Sequence, residues 1–134
     1  MRRATVLIAD DHARVLEMIA AVLGERYQVV GTVTDGGLLV DAAARLRPEV
    51  VVTDISMPGL NGLEAIPRLK VACPRARIII LTMHVDEALA NAAIGAGASG
   101  FVVKSGAGDE LEKAVDEVLQ GRVYLTPALT DDAR

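Results

Sequence analysis

Aromatic residues are almost missing from this 134-residue chain: they make up 2% of it, with no Trp, while 51% of the residues are hydrophobic. A core of stacked aromatic plates is thereby excluded. The interior has to be assembled from Val, Ile, Leu and Ala, which suits a parallel sheet covered by helices, whose strands read as continuous aliphatic runs. Cysteine is as scarce, and the single Cys73 rules out an internal disulfide framework, fits a reducing compartment and reads as a semi-buried helix residue. No signal peptide is recognisable and no apolar run is long enough to span a bilayer, so the expected location is the cytoplasm, with no membrane partner. Positive charge is short as well. A net charge of −4 repels phosphate backbones and argues against this piece gripping DNA by itself, and Arg2 and Arg3 are too few to change that.

What the chain does have is length for one domain and a regular alternation. A chain of this size buries about two-thirds of its unfolded surface, enough for a two-sided core. Aliphatic runs of strand length occur at Thr5–Ala9, Gln28–Val33, Val50–Thr53, Arg77–Thr82 and Ser99–Val103. Between them, Val15, Leu16, Ile19, Val22 and Leu23 form one helical stripe, and Leu111, Ala114, Val115, Val118 and Leu119 repeat its spacing; each predicts an amphipathic helix with one face on a sheet. Punctuation agrees. Gly24 can end the first helix, Asp35 can cap the second, Pro48 separates it from the third strand, and Asp86 and Asp109 stand where N-caps are expected. The small residues of Ile94–Gly100 suit a tight helix-to-strand connection. Pro67 is the misfit, because inside a third helix it deletes a backbone hydrogen bond and invites a kink.

Repeated strand–helix–strand units with short connections predict right-handed crossovers and a doubly wound α/β fold, a five-stranded parallel sheet with helices on both faces. Ligands of such sheets bind outside the carboxyl ends of the strands, where strand order reverses. Asp10 and Asp11 follow the first strand, Asp54 ends the third, Thr82 ends the fourth and Lys104 follows the fifth. Three carboxylates, a hydroxyl and an ammonium are thus expected in one crevice, the chemistry of a metal-assisted phosphoryl acceptor. Taken singly, each has a dull explanation: a helix cap, a strand residue, a solvated loop cation. Their joint placement at strand ends does not.

The stretches VLIADDH, VVTDISMPGLNGLEAI, IIILTMH and GFVVKS together resemble the receiver domains of two-component response regulators, over roughly Thr5 to Gln120. The ending GRVYLTPAL is similar to receivers of the NarL/LuxR-type branch, in which a helix-turn-helix output domain follows; here that domain is expected to be absent, with residues 1–121 forming the receiver and 122–134 a tail or the start of a linker. The resemblance implies a flavodoxin-like receiver fold with Asp54 as phosphoryl acceptor from a sensor histidine kinase or a small acyl phosphate. It implies Mg²⁺ held by Asp11, Asp54 and the backbone carbonyl of Ser56, with Asp10 acting through water. It also implies Lys104 and Thr82 on phosphoryl oxygens, Phe101 as a switch aromatic, and Ser56 and His84 as residues that tune dephosphorylation.

Output is implied through the surface of the fourth helix, fifth strand and fifth helix, with a phosphorylation-dependent homodimer, and with DNA reached only through an output domain not in this chain. Met57, Pro58, Gly59 and Gly62 continue the acceptor loop, and Gly59 and Gly62 are read as supplying backbone freedom. His12 is read as an exposed first-turn residue. Many receivers follow the lysine with a cis proline; here Ser105 follows Lys104, so either the site maintains a strained cis bond, costing about 3 kcal/mol, or the loop takes another path. Competing readings are a Mg²⁺-dependent phosphatase with an Asp nucleophile, disfavoured because Ser56 stands where such enzymes need an acid two residues on, and a flavin module, disfavoured by acidic loops and few aromatics. A receiver acting only as an interaction module is the remaining alternative.

Overall fold

The structure is a computed structural model that describes residues 3–83, 86–104 and 107–127, apart from the side chains of residues 107 and 109. In chain order the elements are β1 (Thr5–Ala9), α1 (Ala13–Gly24), β2 (Gln28–Val33), α2 (Gly36–Leu46), β3 (Val50–Asp54), α3 (Gly62–Ala72), β4 (Arg77–Thr82), α4 (Glu87–Ala96), β5 (Gly100–Val103), α5 (Ala107–Leu119) and β6 (Tyr124–Leu125). All pairings are parallel, in the order β2-β1-β3-β4-β5-β6. The five expected strands form, and a short sixth extends the sheet from within the segment read as tail or linker.

Alternation within each strand sends side chains to opposite faces. Leu7, Val51, Ile78, Ile80 and Phe101 join a core with residues of α2, α3 and α4. Val6, Ile8, Val52, Ile79, Leu81 and Val102 join a second core with α1 and α5. The two helical stripes dock as expected: Ile19 and Leu23 of α1, and Leu111, Ala114, Val115 and Val118 of α5, are all buried. Each fully buried Ile or Leu contributes about 1.5–3 kcal/mol relative to exposure, so the two faces anchor the strand ends that carry the polar residues.

Helix starts follow side-chain chemistry. Asp35 accepts from the backbone N–H groups of Gly37 and Leu38, and Asp86 accepts from that of Leu89, both as expected of N-caps. Asp109 differs from its expected cap position, because α5 already begins at Ala107. An acid in the first turn interacts with the same helix dipole as a cap does, so the sequence signal marks this helix start only to within a turn. Pro67 does not end α3, which continues on both sides of it. The ring lies on the exposed face, so no core contact is lost where the hydrogen bond is missing. Gly97 takes up the tight connection after α4 with φ 120°.

Candidate functional site

Strand order reverses between β1 and β3, which lie side by side at the centre of the sheet. Their register pairs Ala9 with Thr53, so the next residues, Asp10 and Asp54, stand level at the carboxyl edge. One strand over, Asp54 pairs with Leu81 and Thr82 pairs with Val103, which brings Thr82 and Lys104 to the same edge. The crevice follows from the pairing of aliphatic strands, and its polar residues are those that come immediately after the aliphatic runs end.

Asp10 is fully buried and Asp54 is 3% exposed. Lys104 Nζ lies 2.9 Å from Asp54 Oδ2, as a hydrogen bond, and 2.9 Å from Asp10 Oδ2, as an ion pair. The second contact is close but poorly aimed, leaving Asp10 Oδ2 without an aligned hydrogen-bond donor among the described residues. Asp10 Oδ1 accepts from the backbone N–H of His12 at 2.9 Å, and the backbone N–H of Ser56 donates to Asp54 Oδ1 at 3.3 Å. Burial works against the charge of Lys104, but the hydrogen bond to Asp54, the close contact with Asp10 and the charges of both outweigh it, and the ammonium pKa is raised.

Three carboxylates facing one ammonium leave an excess of negative charge, and a hard cation with oxygen preference fits such a set. Donor atoms of Asp10, Asp11, His12 and Asp54 all lie within 4.8 Å of one another, close enough to share one ion. The buried, incompletely satisfied Asp10 carboxylate is a further mark of a site built for a cation. His12, expected in the first turn, is instead the N-cap of α1, and its side chain makes no cap hydrogen bond. Its exposed ring places Nδ1 3.2 Å from Asp10 Oδ1 and 3.1 Å from Asp11 Oδ1. Sequence reasoning missed that contact; adjacency to two acids was the available signal.

The loop after Asp54 is held by close backbone approach. A Cβ on Gly62 would lie 2.8 Å from Asp54 O and 2.8 Å from Ile55 Cα, and the Gly62 N–H donates to Ile55 O at 2.8 Å. Gly62 is therefore required for space, whereas Gly59, at φ 82°, supplies the conformational freedom expected of it. Gly36, not singled out from sequence, abuts the same loop: its N–H donates to Pro58 O at 3.2 Å. Met57 and Leu60 are buried in the core beneath. Asp11, Ser56, Met57, Asn61 and Leu89 help to line an open cleft beside the carboxylates. Another cleft, lined by Arg47, Cys73, Arg75 and Arg77, opens at the amino ends of β3 and β4, away from this chemistry.

Thus Asp10, Asp11, Asp54 and Lys104 come together, Ser56 borders them through its backbone, and Thr82 ends the adjoining strand, 3% exposed. Phe101 is fully buried in the core shared with α4. His84 and the Lys104–Ser105 peptide lie outside the described residues. Among the described residues no helix is long and apolar enough to cross a membrane. The exposed face of α4 carries Ala88, Asn91, Ala92 and Gly95, while Ala90 and Ala93 face the core, so this helix is buried on one side only.

Comparison with known proteins gives a consistent result. A family profile described as response regulator receiver domain matches residues 6–116. The transcriptional regulatory protein DegU of Brevibacillus brevis is 33% identical over 93% of this chain and 54% of its own length. The oxygen regulatory protein NreC of Staphylococcus haemolyticus is 35% identical over 93% of this chain and 59% of its own. This chain therefore spans little more than half the length of these curated relatives. A LuxR-family two-component response regulator from Aurantimonas sp. SI85-9A1 superposes with TM-score 0.91 at 35% identity, covering 96% of this chain and 94% of that one.

Proposed function

The chain belongs to the response regulator receiver family, and on that premise we propose that it is a phosphorylation switch whose acceptor is Asp54. The observation that carries this reading is the single ammonium of Lys104 held 2.9 Å from both Asp54 and Asp10. A strand-end carboxylate that is buried, level with a second carboxylate and bridged by one lysine has little use as a packing element and much as a nucleophile. An Asp54 oxygen attacks phosphorus in a phosphohistidine of a sensor histidine kinase, or in a small acyl phosphate. The new O–P bond forms as the P–N bond, or the acyl P–O bond, breaks. Its electron pair leaves with the imidazole or carboxylate, and an imidazole leaving group takes a proton from solvent.

Asp11, Asp54 and the backbone carbonyl of Ser56 would hold Mg²⁺, with Asp10 acting through water, and the bound ion would supply positive charge to offset repulsion between the carboxylates and the incoming phosphoryl group. Lys104 moves its ammonium onto a phosphoryl oxygen, and the Thr82 hydroxyl donates to another, so developing charge meets donors already in place. Ser56 and His84 tune the rate at which the acyl phosphate hydrolyses. Output follows if phosphate favours one of two arrangements of Thr82 and Phe101 over the other, since a ligand shifts an equilibrium only by its differential affinity. The surface of α4, β5 and α5 then pairs with a second copy, and the switch serves the control of transcription. The relatives' roles as transcriptional regulators support that last step.

The test is intact mass after incubation with acetyl phosphate and Mg²⁺, for wild type, Asp54→Asn and a metal-chelated control. One phosphoryl group on wild type alone is the expected result. An unmodified wild type that is folded and binds Mg²⁺ would move the reading to a module that signals without phosphate.

A further inference from the structure

His12 has no part in the reaction above, yet its ring is turned onto the carboxylates. We propose that His12 is a selective ligand of the cation site: a borderline divalent transition cation recruits its Nδ1, and Mg²⁺ does not. The inference rests on the cation site of the preceding reading and adds to it a preference among metals.

Geometry is the first argument. His12 Nδ1 lies 3.1 Å from Asp11 Oδ1 and 3.2 Å from Asp10 Oδ1, and the donor atoms of these residues and Asp54 all fall within 4.8 Å of one another. In an octahedral site with bonds of about 2.1 Å, neighbouring donors are about 3.0 Å apart and opposite donors about 4.2 Å. The observed spacings need little adjustment to meet those values. The backbone of His12 is already fixed, because its N–H donates to Asp10 Oδ1 at 2.9 Å, so one acid positions the residue that would share its metal. The imidazole makes no helix-cap hydrogen bond, and binding would exchange its 3.2 Å contact with Asp10 Oδ1 for a bond to the ion.

Chemistry decides which ion gains. Mg²⁺ takes oxygen donors and keeps several waters, so an imidazole offers it little. Ni²⁺, Co²⁺ and Cu²⁺ accept imidazole readily, and their affinity for mixed nitrogen and oxygen sites rises along the first-row series. Such an ion takes the Nδ1 lone pair in place of the ring's contacts with Asp10 and Asp11, and the exposed ring leaves its other nitrogen to solvent. The consequence is competition: a borderline ion held by His12 occupies Asp11 and Asp54 and keeps Mg²⁺ out.

The chain contains two histidines, His12 and His84, which makes the test clean in tag-free protein. Ni²⁺ and Mg²⁺ affinities are measured by isothermal titration for wild type, His12→Ala and His84→Ala. The expected result is at least a tenfold loss of Ni²⁺ affinity in His12→Ala, less than a twofold change in its Mg²⁺ affinity, and no Ni²⁺ loss in His84→Ala. Nitrogen hyperfine coupling in the Cu²⁺ spectrum should disappear in His12→Ala alone. Equal Ni²⁺ affinity in His12→Ala and wild type, or a loss confined to His84→Ala, overturns the proposal. Because titration reads metal and not phosphate, this failure is distinct from failure of Asp54 to gain a phosphoryl group.

Discussion

Replacing Gly36 by Ala should damage both stability and the acceptor loop, although the residue lies well outside the carboxylate cluster. Gly36 opens α2, where alanine is otherwise the better helix former by up to about 1 kcal/mol. Here the added Cβ would stand 1.8 Å from Leu60 O, 2.6 Å from Leu60 C and 2.7 Å from Leu60 Cβ, against about 3.4 Å for ordinary contact. These are backbone atoms and the first carbon of a buried side chain, so nothing rotates away. Either the loop or the helix start has to retreat by roughly 1.6 Å, and the Gly36 N–H to Pro58 O bond goes with it. Overpacking costs about 1–3 kcal/mol and a lost hydrogen bond about 1 kcal/mol, while helix propensity offsets less than 1 kcal/mol. The net loss is about 1–3 kcal/mol, and for a chain of this length the midpoint should fall by roughly 3–15 °C. Gly95→Ala is the control: it adds a Cβ in α4 with nothing within 4 Å and should gain about 0.5–1 kcal/mol. Thermal unfolding followed by circular dichroism reads both. The retreat also shifts the loop that sets the Ser56 N–H on Asp54, so phosphoryl uptake from acetyl phosphate should slow. A Gly36→Ala protein melting within 2 °C of wild type, where about 3 °C is the least expected, would refute the steric argument.

Two further perturbations address charge. The phenol of Tyr124 is pushed up to about 12 by burial and by its hydrogen bond to the charged Glu110, and Tyr27 is raised by burial and by Asp116; with no Trp in the chain, absorbance at 295 nm follows these two groups cleanly. Because both folded values exceed the ordinary value of about 10, their contribution to stability is complete below that pH and is lost as pH rises toward the folded values; a native-state midpoint near 10 would show that neither phenol is held. Lys104→Met keeps most of the aliphatic stem but strands Asp10 and Asp54, and breaking a buried pair from one side costs about 3–5 kcal/mol; the low end is expected at this rim, read as a lower denaturant midpoint at pH 7. Since the Lys104 value is raised above 10.5, the ion pairs are intact at pH 7 and weaken only above that value, so an unchanged midpoint in Lys104→Met would mean that the bridge contributes nothing.

The strands were legible because they are sharply bounded aliphatic runs. Thr5–Ala9, Gln28–Val33 and Arg77–Thr82 match their observed limits, while β3 runs one residue further to include Asp54 and β5 starts one later at Gly100. The sixth strand carries no such signal. Tyr124–Leu125 is two residues long and forms because β5 offers an open edge: Tyr124 N–H donates to Ser99 O and Thr126 N–H to Phe101 O. The Tyr124 and Thr126 hydroxyls then share Glu110 Oε1. A two-residue strand held by a helix side chain is a tertiary event, and no period in the sequence encodes it.

The site divides along the same line. Residue type and strand-end position located Asp10, Asp54 and Lys104, because a parallel register turns three distant positions into neighbours once the strands are aligned, here through Ala9 with Thr53 and Asp54 with Leu81. Strand register fixes neighbours only as far as the Cα. It does not say that one ammonium would divide itself between two carboxylates, that the ring of His12 would turn onto both acids rather than into solvent, or that Leu60 would press against Gly36. Each of these depends on which rotamer or approach the surrounding packing leaves open. Gly62 illustrates the limit: sequence reading gave it the same role as Gly59, yet Gly59 is needed for its φ of 82°, and Gly62 because Asp54 O would lie 2.8 Å from any Cβ there. Both are glycines in one loop, and only the backbone path separates a conformational requirement from a spatial one. Substitutions should keep them apart as well: an Asn at Gly59 meets a φ that asparagine tolerates, though its Cβ would crowd the Asp35 carboxylate, whereas any side chain at Gly62 must push on the acceptor itself.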